Sequence, residues 1–84
     1  MEMKKIDQAK LKTQLEEAFG NRPFVLRRDK FRESIDGLSA DVLANWDCLG
    51  KGPGGRIYIG RKAGYLLPDY LDWLVRRISS ERTR

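Results

Sequence analysis

Apolar positions Ile6, Ala9, Leu11, Leu15, Ala18 and Phe19 recur at helical spacing and predict a helix over residues 5–19, behind a frayed 1–4. Gly20 and Asn21 stop it, and Pro23 follows as a breaker. Phe24-Val25-Leu26 reads as a short strand or an extended lead-in. Residues 28–35 predict a short helix whose inward face is Phe31 and Ile35, four apart, closed by Gly37. Ser39 then offers its hydroxyl as an N-cap, and Asp41 suits the helix dipole in the first turn. Val42, Leu43 and Trp46 stripe the helix that follows, which runs to about Leu49. The glycine-rich stretch 50–55 is a loop.

Arg56-Ile57-Tyr58-Ile59 predicts a strand, residues 60–63 a turn, and Gly64 to Leu67 the returning strand of a β-hairpin. Pro68 suits the first helical position. Tyr70, Leu71, Leu74, Val75 and Ile78 stripe a closing helix, with Arg76 and Arg77 complementing its C-terminal end. Residues 79–84 read as a polar tail. Phe31, Leu43, Trp46, Tyr65, Leu71, Trp73 and Leu74 are the expected core. A short helix, a tight turn and a second helix followed at once by a hairpin is the winged helix-turn-helix layout. The fold expected is mainly α with a small β-hairpin. Residues 1–22 form an N-terminal extension, 23–79 the winged helix-turn-helix domain and 80–84 a basic tail.

Charge sharpens this picture. The net charge is +5, carried mostly by the second half: nine cations meet eight anions over residues 1–42, and eight meet four over 43–84. A basic surface of this kind favours polyanions, nucleic acid first and an anionic membrane surface second. No apolar run approaches the roughly 20 residues a membrane span needs, so a cytoplasmic chain is expected. The single cysteine, Cys48, forms no internal disulfide and is expected as a buried or half-buried filler. With no histidine, Ser-His and Cys-His nucleophiles are excluded, and a zinc site has almost no ligands. The glycine loop lacks the strand-then-helix order and Gly-Lys-Ser/Thr ending of a phosphate cradle. No enzyme activity, cofactor, metal or small-molecule substrate is expected.

The run Lys30 to Trp46, with Gly37-Leu38-Ser39 at its turn, resembles the helix-turn-helix of excisionase and AlpA-like regulators, of the MerR-type winged-helix group. Gly52-Pro53, then Arg56 to Lys62, Tyr65 and Tyr70 to Leu74 look like that family's wing and closing helix. The resemblance covers about residues 24–78. It implies a sequence-selective binder of double-stranded DNA, either a recombination accessory factor or a small prophage transcriptional regulator. An integrase or a second copy of the chain would be further partners.

In such a fold the second helix enters the major groove, and its N-terminal residues meet base edges. Here those residues are Ser39, Ala40, Asp41, Ala44 and Asn45. Asn45 can pair with adenine N6 and N7, and Asp41 can accept from cytosine N4 while repelling phosphates. The wing supplies Lys51, Arg56, Arg61 and Lys62 with no acid between Lys51 and Lys62. Arg27 and Arg28, with Lys30, are candidates for holding phosphates at the first helix. Ser39 as a mere cap, Asn45 as a solvated residue and a cationic turn kept only for solubility are the plainer readings.

The second helix exposes Ala40, Asp41, Ala44, Asn45 and Asp47 and no cation, which favours a different class of function. A winged-helix interaction adaptor, like the small subunit of a phage packaging terminase, would bind a partner protein through the N-terminal helix. That helix, with Lys12 four residues before Glu16, reads equally as a solvated face or as one awaiting a partner.

Overall fold

The computed structural model describes residues 7–78. The expectations for the helix start at residues 5 and 6, the frayed 1–4 and the tail 79–84 lie outside them. Within them the chain folds as α1 (Gln8–Ala18), β1 (Phe24–Leu26), α2 (Lys30–Asp36), α3 (Ala40–Cys48), β2 (Arg56–Ile59), β3 (Lys62–Leu66) and α4 (Leu67–Arg77). It is mainly helical, with a small three-stranded antiparallel sheet in the order β1-β3-β2.

The helix starts follow capping chemistry. Asp7 accepts from the Lys10 N–H before α1, Asp29 from Phe31 N–H before α2, and Ser39 from Val42 N–H before α3. Gly37 closes α2 at φ 71°, a left-handed conformation that a Cβ would strain. Pro68 falls at the second residue of α4 rather than the first, because the helix already begins at Leu67.

Phe24-Val25-Leu26 is a true strand, since β3 continues past the hairpin to pair with it, Val25 against Tyr65. The hairpin turn is tighter than the pattern predicted. Ile59 pairs with Lys62, leaving only Gly60 and Arg61 in the turn, and β3 starts at Lys62 rather than Gly64. Gly60 has φ 60°, which supplies the bend of a two-residue turn. At Gly64 a side chain would strike the Val25 carbonyl, so this residue lets β1 and β3 lie close.

The core gathers around α4, which buries Leu67, Tyr70, Leu71, Trp73, Leu74 and Val75. Phe19, Val25, Leu43 and Tyr65 complete it. Phe19, just past α1, meets Phe31 and Tyr70 edge-on at 6.1 and 6.4 Å. No residue within α1 is itself buried. The helix lies along α4, where Lys12 pairs with Asp72 at 2.7 Å instead of with Glu16, and Gln8 donates to the Val75 carbonyl. Trp46 and Trp73 meet at 5.2 Å between α3 and α4, with the Arg77 guanidinium over both rings.

Several side chains depart from their expected places. Phe31 is 41% exposed, since its ring meets Phe19 only edge-on and is otherwise covered by the Arg22 guanidinium, 4.3 Å from its centroid. Val42 is 40% exposed, since nine residues of α3 turn only Leu43 fully inward. Cys48, at the last residue of α3, is exposed rather than a filler. The side chain that α2 buries fully is Arg32, at 0% exposure.

Arg32 is buried without an idle donor. Its Nε donates to the Leu26 carbonyl, one terminal nitrogen to Asp36 and Tyr70, and the other to the carbonyls of Arg27 and Leu38. Tyr70 in turn donates to Asp36, whose other oxygen accepts from the Leu38 N–H. One guanidinium thus joins the end of β1, helix α2, the α2–α3 turn and α4. Among the described residues no buried side-chain polar atom lacks a partner.

Candidate nucleic-acid interface

The N-terminal half of α3 and the turn of the β2–β3 hairpin face each other across a groove of about 380 Å³. Ala40, Asp41 and Ala44 line it from α3, Arg61, Lys62 and Ala63 from the hairpin, and Leu26, Arg27 and Arg28 from the end of β1. The cap at Ser39 fixes where α3 starts. The tight turn at Gly60 fixes where Arg61 projects. Among the described residues, four cations and one acid line the groove.

The candidate residues are not all in one place. Arg61 and Lys62 are exposed, and among the described residues no carboxylate lies within ion-pair distance of either. Arg28 and Asp41 approach to 3.9 Å with side chains 85% and 93% exposed. Ser39 is half-buried and its hydroxyl caps α3. Asn45 is exposed four positions after Asp41, on the same helical face but outside the groove lining. Lys51 lies past the far end of α3, where its carbonyl accepts from Trp73 Nε1 and from Arg77.

Arg27 and Arg56 are drawn to a carboxylate that the sequence pattern had put on the outer face of α3. Asp47 is nearly buried, its side chain 6% exposed, because Arg27 just past β1, Arg56 of β2 and Tyr65 of β3 converge on it. Arg27 donates to it, the Tyr65 hydroxyl donates to it at 2.5 Å, and Arg56 stands 3.8 Å away. Arg27 Nε also donates to the Tyr65 oxygen at 2.9 Å. Asp47 therefore links the C-terminal end of α3 to Arg27, just past β1, and to strands β2 and β3. Tyr65 is core, as expected, and its hydroxyl link to Asp47 goes beyond that expectation, while Asp47 leaves the outer face where the pattern puts it, and Arg32 and Asp36 carry no expected role. Of these links, only the four-residue spacing of Arg32 and Asp36 leaves a trace in the sequence.

Burial is the main cause that pushes the Tyr65 phenol up to about 12, with Asp47 adding to it and Arg27 opposing. Burial, and then Asp36, raises Tyr70 as well. Both phenols are held neutral by the fold, so the unfolded chain ionises first as pH rises past about 10. Their contribution is complete below that pH and is lost as pH climbs towards the folded values. Tyr65 alone should remove at most about 2 kcal/mol between pH 10 and 11.5, at about 1.4 kcal/mol per pH unit. Urea unfolding of the wild type and of Tyr65→Phe across that range checks this. The variant should show the shallower decline, and equal slopes would refute the assignment.

Among the described residues no cluster of three or more His, Cys, Asp or Glu side chains is placed to hold a metal ion, and no helix is long and apolar enough to cross a membrane. Comparison with protein-family models, curated proteins and solved structures finds no significant match for this chain.

Proposed function

We propose that the chain is a winged helix-turn-helix protein that binds duplex DNA with sequence preference. Helices α2 and α3 form the helix-turn-helix, and the β2–β3 hairpin is the wing. The observation that carries this reading is the convergence of the α3 N-terminus and the hairpin turn on one groove with four cations and one acid. Helix α3 is nine residues of regular α-helix, and an α-helix about 10–12 Å in diameter fits a major groove about 12 Å wide. Ala40 and Ala44 keep its leading face shallow. Arg61 and Lys62 then reach the phosphates or the adjacent minor groove, where arginine gains from the enhanced negative potential. The net charge of +5 favours the same partner.

The resemblance to excisionase and AlpA-like regulators supports a recombination accessory factor or a small transcriptional regulator. An integrase or a second copy would bind beside it on the DNA. The adaptor reading is weaker, because α1 and the residue after it make their specific contacts within the chain. Leu15 packs on the core, Phe19 is inside it, and Gln8 and Lys12 bond to α4.

The test is a titration of duplex DNA over a salt series, with the wild type and with Arg61→Ala/Lys62→Ala. Each phosphate contact adds about −0.9 to the slope of log affinity against log salt. The double variant should lose one to two such increments, about 8- to 60-fold in affinity near 0.1 M salt. Absence of wild-type binding at low salt would overturn the reading.

A further inference from the structure

Asp41 is not spent on the fold. Ser39, not Asp41, caps α3 by accepting from Val42 N–H. The Asp41 carboxylate takes part in no hydrogen bond among the described residues, and its single ion-pair neighbour is Arg28 at 3.9 Å. A pair with both side chains so exposed holds weakly. Yet among the described residues this carboxylate is the one acid lining a groove with Arg27, Arg28, Arg61 and Lys62. Against a polyanion it costs affinity on every sequence alike.

One partner in the major groove offsets that cost: an amino group on a base edge, foremost cytosine N4. The carboxylate is short, so it reaches a base edge only where the backbone of α3 comes close. Ala40 and Ala44, which line the groove beside it, leave that approach open. Arg28 can exchange Asp41 for a phosphate when DNA arrives, which frees the carboxylate at the moment it meets the bases.

We infer that Asp41 is a specificity-determining residue, which weakens binding to arbitrary duplexes and is compensated where it accepts from a base amino group. The inference rests on the duplex-DNA reading above. It locates selectivity in an acid, while the cations supply attraction that is blind to sequence.

The experiment compares the wild type with Asp41→Ala and Asp41→Asn, first by titration of a random-sequence duplex and then by selection from a randomised duplex library. Both variants should bind the random duplex about tenfold more tightly. A cytosine preference at one position should vanish in Asp41→Ala. It should move towards adenine in Asp41→Asn, whose amide matches adenine N6 and N7. The preference lost should be about tenfold, within the range that one base contact supplies. If the wild type binds and the variants match it in affinity and preference, the inference fails while the DNA reading stands. Tighter random binding with unchanged base preference also overturns it, since Asp41 would then only repel. If neither wild type nor variants bind duplex at low salt, both readings fall together.

Discussion

Arg32→Met is expected to destabilise the protein by about 3–5 kcal/mol, the usual cost of removing one partner from a buried ion pair. A chain of this length has on the order of 5–10 kcal/mol in total, so the variant should be partly or wholly unfolded at 37 °C. The loss has two parts. Asp36, whose side chain is 1% exposed, keeps a charge with Tyr70 and one N–H as partners but no cation. The carbonyls of Leu26, Arg27 and Leu38 also lose their donor. Arg32→Met/Asp36→Leu removes the stranded charge and should recover part of the stability, because apolar replacement of a whole buried pair is often tolerated. It cannot recover all, since the three carbonyls stay unpaired and the Leu38 N–H loses its acceptor. Urea unfolding followed by far-UV circular dichroism would check this. A single variant within 1 kcal/mol of the wild type would show that the guanidinium is dispensable.

The second large effect concerns Asp47. Asp47→Ala leaves the Tyr65 hydroxyl without its acceptor and the largely buried Arg27 without its counter-charge. A cost of about 2–4 kcal/mol is expected, with Asp47→Asn losing less because its side-chain oxygen can still accept. The effect on DNA binding separates position from charge. Removing an acid makes the protein one unit more positive, which by electrostatics alone would strengthen binding to duplex. If Asp47 sets the angle between α3 and the hairpin, the folded fraction of Asp47→Ala should instead bind several-fold more weakly. Stronger binding would mean that the groove keeps its shape without this clamp.

What the sequence disclosed and what it hid divide by range. Ser39, Gly37 and the β-rich run Arg56 to Ile59 act on their immediate neighbours, so their roles can be read from spacing. The stripe of α4 is legible for the same reason, because one long helix buries one face. Arg32 defeats that logic. A count of apolar positions selects Phe31 and Ile35, whereas the fold turns inward a cation whose charge is met by groups from β1, α2, the turn and α4. The Arg27–Asp47 and Tyr65–Asp47 links span 20 and 18 positions, and no periodicity encodes them.

The groove shows the same division. The order of elements and the cations at the hairpin turn point to where α3 and the hairpin meet. The sequence does not show that Lys51 lies past the far end of α3, or that Arg27 is tied down by Asp47. Both follow from tertiary contacts: the Lys51 carbonyl is taken by Trp73 and Arg77, and Arg27 by Asp47 and Tyr65.

The seam where Trp46 and Trp73 meet under Arg77 makes the molecule its own optical gauge. No other indole is present in the chain. Intrinsic emission therefore comes from one place, the docking of α3 on α4, and a cation over both rings will tune its intensity. Neither ring lines the groove, and Trp46 lies about 200° around α3 from Ala44. Separation of the two helices will redden and rescale the emission, whereas a ligand seated in the groove will leave it almost unchanged. Loss of fold and occupancy of the groove can thus be followed in one cuvette as independent signals, the first from the tryptophans and the second from a dye on the DNA.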